Sequence, residues 1–172
     1  GTRSFDGTLG IADARAGGGT VPRANVALKG TPAGFGWTAT AAGEFGVGVA
    51  FAAAGTTAIA GEVVTTAVQR LDGTVGKYPL TLRAPARIAW QPDALTAGPL
   101  ALTFDTGQID LTLALNPQSV DASGTIAGLP VAVAALFSPQ LDLDGTISGT
   151  MTATGSRRQP ALSVNLAAEG LR

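Results

Sequence analysis

Leu141 to Ser156, LDLDGTISGTMTATGS, is written for two faces. Its odd positions are Leu141, Leu143, Gly145, Ile147, Gly149, Met151, Ala153 and Gly155. Its even positions are Asp142, Asp144, Thr146, Ser148, Thr150, Thr152, Thr154 and Ser156, all polar. Successive side chains of an extended strand point to opposite faces, so a period of two predicts a half-buried strand here.

Moving outward, the same period governs Tyr78 to Trp90. The even positions Tyr78, Leu80, Leu82, Ala84, Ala86, Ile88 and Trp90 are apolar, and the odd ones carry Thr81, Arg83, Arg87 and the prolines. Pro79 and Pro85 fall inside this run. Proline donates nothing to a ladder, so the run is expected to be an edge strand or to contain a bulge. Leu100, Leu102 and Phe104 alternate with one parity and Ile109, Leu111, Leu113 and Leu115 with the other. The parity changes at Asp105-Thr106-Gly107, which predicts a turn that returns both rows to one face. Weaker alternation at Ala24-Val26-Leu28, Phe35-Trp37-Ala39 and Phe45-Val47-Val49-Phe51 predicts further strands. One short helix is expected at most, from Pro130 to Phe137, with proline in its first turn and Ser138-Pro139 as its stop.

A phrase recurs: Asp6-Gly7-Thr8-Leu9, Asp72-Gly73-Thr74-Val75, Ser123-Gly124-Thr125-Ile126 and Asp144-Gly145-Thr146-Ile147. Asp-Gly and Ser-Gly before alternating residues are hairpin chemistry, because glycine reaches positive φ without a Cβ clash. The copies are therefore expected to punctuate the strands as turns. Their uneven spacing fits similar strands with variable connections.

Charged residues are 13% of the chain, against roughly 25% for an average soluble domain. Hydrophobic residues are 45% and the mean hydropathy is +0.30. So little charge requires that apolar surface be hidden or used. A net charge of −1 supplies no field for phosphates, so no nucleic-acid partner is expected, and Arg157-Arg158 is read as a solvated turn. There is no cysteine, hence no disulfide framework. The longest apolar run, Val131 to Phe137, is far short of the roughly 20 residues of a membrane helix. The chain opens on Gly1 without an initiator methionine and stops in mid-pattern at Arg172, which suggests an excised piece of a longer protein.

No histidine and no cysteine leaves the usual general base, the paired nucleophiles and the common zinc sites without their residues. Asp142-Leu143-Asp144-Gly145 starts like a calcium loop but lacks its later ligands. Gly34-Phe35-Gly36-Trp37 matches a dinucleotide fingerprint by letters alone, with no helix after it. No enzyme, metal or cofactor is expected. What remains is apolar surface, which is either the core of a closed β-structure or the lining of a trough.

Leu141 to Gly155, followed by Pro160-Ala161-Leu162 and an alternating strand to Glu169-Gly170-Leu171, resembles the repeat of the TamB family of translocation and assembly proteins, within the AsmA-like group of bridge-like lipid transfer proteins. Gly124-Thr125-Ile126-Ala127-Gly128-Leu129-Pro130, Tyr78 to Pro85, and Val26 to Pro32 look like the same family. The resemblance implies a periplasmic segment of a Gram-negative protein tethered to the inner membrane, with a long sheet folded like a taco around a hydrophobic groove. It implies phospholipid acyl chains as cargo, an outer-membrane barrel partner of the TamA type, and support of autotransporter assembly and protein secretion.

The expected fold is therefore all-β: one elongated, curled sheet over residues 1–172, with weaker repeats in 1–70 and clearer ones in 71–172. A dozen strands about 4.8 Å apart would reach roughly 60 Å. The groove is expected to be lined by Leu80, Leu82, Ile88, Trp90, Leu100, Leu102, Phe104, Ile109, Leu111, Leu113, Leu115, Leu141, Leu143, Ile147 and Met151. A closed sandwich, a β-helix or adhesin-like array, and a fragment of an outer-membrane barrel stay open as alternatives.

Overall fold

A computed structural model describes residues 3–16, 19–136 and 144–171. The chain is all-β, and twelve strands form one sheet. They are Phe5–Ala16 (β1), Gly19–Thr31 (β2), Gly34–Glu44 (β3), Gly48–Ala60 (β4), Val63–Val75 (β5), Tyr78–Leu82 (β6), Ala86–Gln91 (β7), Ala94–Phe104 (β8), Gly107–Leu115 (β9), Ser119–Pro130 (β10), Thr146–Ser156 (β11) and Gln159–Glu169 (β12). Every pairing is antiparallel and joins neighbours in the chain, with β6 and β7 sharing one place between β5 and β8. Among the described residues β1 and β12 each have one strand neighbour and do not pair with each other, and no pairing is parallel as in a β-helix.

Tight turns make this meander possible. Asp105 takes a left-handed φ of 54° in the two-residue turn that pairs Phe104 with Gly107, where the parity of the apolar row changes. Arg157-Arg158 is the turn between β11 and β12. Phe45 to Val47 form a turn between β3 and β4, so the strand expected from Phe45 starts only at Gly48.

Tyr78 to Trp90 is not an edge strand. It lies inside the sheet as two halves, β6 and β7, separated by Arg83-Ala84-Pro85. The neighbours are irregular at the same level: Gln69 has no partner between Val68 and Arg70, and Gly98-Pro99 interrupt the register between Ala97 and Leu100. Pro85 is thus admitted to the interior because the ladder is already open there, while Pro79 keeps a regular place in β6 opposite Thr74 and accepts from Asp105 N–H through its carbonyl. Arg83 spans the gap, its backbone N–H donating to Ala101 O at 2.8 Å and its guanidinium reaching Asp110 at 2.5 Å. Each irregularity also resets parity. Val64, Thr66 and Val68 continue as Leu71, Gly73 and Val75 on one face, and Leu95 and Ala97 continue as Leu100, Leu102 and Phe104.

The glycine-threonine phrases are not turns as a class. Asp6-Gly7-Thr8-Leu9 lies within β1, Asp72-Gly73-Thr74-Val75 ends β5, and Ser123-Gly124-Thr125-Ile126 is central in β10. Only Gly145 precedes a strand, at φ 120° before Thr146. In β5 and β10 the glycine matters for its size. A Cβ on Gly73 would stand 2.9 Å from the Cβ of Phe51, and one on Gly124 would stand 2.9 Å from both Leu111 Cδ2 and Met151 Cγ.

Val131–Leu136 form the short helix, of 3-10 type. It closes one end of the apolar face. The Tyr78 hydroxyl donates to Ala132 O at 3.1 Å, and the Val131 N–H donates to Gly145 O at 3.0 Å. Beneath it Tyr78 and Phe104 contact each other at 6.0 Å between ring centroids and are 7% and 8% exposed. With Val131 and Ala86 these form the buried apolar core among the described residues. No helix among the described residues is long and apolar enough to cross a membrane.

Candidate functional site: the apolar face

Directly paired residues of antiparallel strands share a face. Leu100 pairs with Leu111, Leu111 with Gly124, Gly124 with Met151 and Met151 with Val164. One row away, Ala97, Leu113, Ala122, Ala153 and Leu162 pair in the same succession. Towards the short helix follow Leu102 with Ile109 and Ile126, then Phe104 with Gly107. Across the broken strand, Leu80 pairs with Phe104, Leu82 with Leu102, Ile88 with Ala97 and Trp90 with Leu95.

Register therefore places Leu80, Leu82, Ile88, Trp90, Leu100, Leu102, Phe104, Ile109, Leu111, Leu113, Leu115, Ile147 and Met151 on one side of the sheet. Leu141 and Leu143 lie outside the described residues. The opposite side at the same strands carries Asp110, Thr112, Asp121, Ser123, Thr125, Thr150 and Thr152. There the Thr112 and Ser123 hydroxyls are 2.7 Å apart, and Arg83 meets Asp110. Partial charges collect on one face, and the other has almost none.

The apolar face stays largely open. Substantial contacts between elements all join neighbouring strands, so no second layer covers it among the described residues except at the short helix. Between β9 and β12 it sinks into a trough of about 360 Å³. The floor is β10, where Ala122 and Gly124 are small. The walls are Leu111 and Leu113 on one side and Met151, Leu162 and Val164 on the other. No charged side chain lines it. A floor of small residues between taller walls is what the close approach of Leu111 and Met151 over Gly124 produces.

The apolar row also continues through strands that sequence patterning marked only weakly. Leu28 pairs with Trp37, Trp37 with Gly55, and Phe51 with Gly73, while Phe5 and Phe35 contact each other at 5.7 Å between ring centroids. β12 adds Leu162, Val164 and Leu166, whose alternation with Ser163 and Asn165 is legible in the sequence. β10 adds Val120, Ala122, Gly124 and Ile126, where alanine and glycine mute the signal.

The polar face has a depression of its own, of about 430 Å³, across β2 to β5. Ala27, Gly36 and Ala54 form its floor, with Lys29, Thr38, Thr56 and Gln69 around it. Lys29 pairs with Asp6 at 3.3 Å at its rim, both side chains exposed. Among the described residues no group of three or more acidic ligands is placed to hold a metal ion. No family model, curated protein or solved structure matches this chain.

Proposed function

We propose that this chain is a periplasmic segment of a TamB-like protein. Its apolar face shields phospholipid acyl chains during transport between the inner and outer membranes, and the parent protein supports outer-membrane protein and autotransporter assembly with a barrel partner. The observation that supports this reading is a single apolar face, continuous across the sheet and left uncovered over most of its area.

The physics favours passage over retention. Each methylene shielded from water is worth about 0.8 kcal/mol, so an acyl chain crossing an aqueous space requires continuous cover. Relative to a bilayer, leucine side chains offer almost no gain, so the chain enters and leaves readily. A trough without charged anchors lets it slide. Native mass spectrometry of the chain purified without detergent tests the reading. Co-purified phospholipid, lost in Leu113→Asp and kept in Thr112→Asp, is expected. Lipid-free protein in every preparation, after incubation with phosphatidylethanolamine vesicles, would contradict it.

A further inference from the structure

The chain's only pair of adjacent basic residues, Arg157-Arg158, stands at one end of the trough. β11 leaves the trough at Ala153 and reaches Arg157 four residues later, about 13 Å at the usual strand rise. On the apolar face between them lie Gly155 and its register partners Val120 and Pro160, with Leu115 beyond Val120. A Cβ at Gly155 would meet no atom nearer than 3.9 Å, so the face is open at that point.

The turns at this mouth are fixed by hydrogen bonds of their own. Ser156 Oγ accepts the Arg158 and Gln159 N–H groups at 3.2 and 3.3 Å, and the Arg157 N–H donates to Gln118 O at 3.2 Å. Asn116 Oδ1 in turn accepts from the Gln118 and Ser119 N–H groups at 3.0 and 2.8 Å. The backbone is held while the guanidiniums are left for solvent. Neither Arg157 nor Arg158 has an ion-pair partner among the described residues, and no acid occurs in 116–119 or 156–159. At the same end of the strands the turns Gly61-Glu62 and Pro92-Asp93 each carry an acid. Charge along this end therefore becomes positive beside the trough.

We infer that Arg157 and Arg158 recognise the anionic head of a lipid whose acyl chain lies in the trough, so that this segment favours acidic phospholipid. The inference rests on the acyl-chain reading of the apolar face. A guanidinium presents paired N–H donors in a planar fork that matches phosphate oxygens. The lining itself stays uncharged, so the pair selects the head without holding the tails.

Calorimetric titration of the intact chain tests this with dihexanoyl-phosphatidylglycerol below its micelle concentration, dihexanoylglycerol and glycerol phosphate. Phosphatidylglycerol is expected to bind roughly ten-fold more tightly than dihexanoylglycerol, the scale of two exposed guanidinium–phosphate contacts. Glycerol phosphate, which has the anion without the tails, is expected to bind more weakly than either. The double variant Arg157→Gln with Arg158→Gln leaves the backbone bonds of the turn in place, and is expected to lose the ten-fold preference with unchanged circular dichroism. Raised salt is expected to shrink the preference in the parent chain. Equal binding of the two lipids, a preference that survives the double substitution or salt, or glycerol phosphate binding as tightly as the phospholipid would each overturn this inference alone. Binding of neither lipid would overturn the acyl-chain reading with it.

Discussion

β1 to β5 and β8 to β12 share one topology but differ in how their faces are filled. In β9 to β12 the two faces are segregated: leucine, isoleucine and methionine on one, threonine, serine and aspartate on the other. In β3 and β4 alanine occupies both, as Ala39 and Ala53 on one face and Ala52 and Ala54 on the other. The first region gains an apolar trough bounded by long side chains. The second is a thin sheet whose clearest depression opens on the polar face, over Ala27, Gly36 and Ala54. A constant strand pairing therefore does not guarantee a constant lining. Hydrogen bonds hold both regions together, but in the N-terminal one the large side chains Leu28, Phe35, Trp37 and Phe51 are spaced by alanine and glycine, whereas in the C-terminal one they line a trough.

The buried end is expected to respond most strongly to substitution. Phe104→Ala removes the ring packed on Tyr78 and is expected to cost about 3–5 kcal/mol, a fall in Tm of roughly 10 °C. Phe51→Ala in the thin half removes a half-exposed ring and is expected to cost less than about 1.5 kcal/mol. Equal losses in thermal unfolding would erase the distinction between the halves.

Next comes the floor of the trough. Gly124→Leu drives a side chain between Leu111 and Met151, at a cost of about 1–3 kcal/mol, and is expected to abolish binding of a fluorescent fatty acid. Gly36→Ala places its Cβ in open contact on the polar face and is expected to leave that binding unchanged. Loss of the fluorescence signal in both variants would show that the trough has no special part in it.

Tyr78→Phe deletes the hydrogen bond that fastens the short helix, and about 1 kcal/mol is expected to disappear from denaturant unfolding. The exposed Arg83–Asp110 pair is expected to couple by less than about 1 kcal/mol in a double-mutant cycle. A larger coupling would mean that this bridge, more than the backbone bond from Arg83 to Ala101, holds the broken strand in register.

Much of this architecture is legible in the sequence, for a physical reason. Where one face is apolar and the other polar the sequence alternates, so Ile109 to Leu115 and Thr146 to Ser156 declare their strands and faces. Alanine and glycine suit either face, which blurs the strands before Val63. The break at Arg83-Ala84-Pro85 hides because apolar parity runs through it unchanged, and it is explained only by the irregular neighbours Gln69 and Gly98-Pro99. Those bulges do leave a trace, a three-residue step between apolar positions at Val68 to Leu71 and Ala97 to Leu100. The glycine-threonine phrase misleads, because a glycine that makes room for Met151 looks like one that makes a turn.

The most direct test of the apolar face as a lipid path is a pair of photocrosslinking residues one position apart in cells, at Leu111 and at Thr112. Adjacent strand positions share backbone, depth and neighbours but face opposite ways. Phospholipid captured at Leu111 and absent at Thr112 is the result expected. Capture at Thr112 alone, or at neither position, would contradict the account.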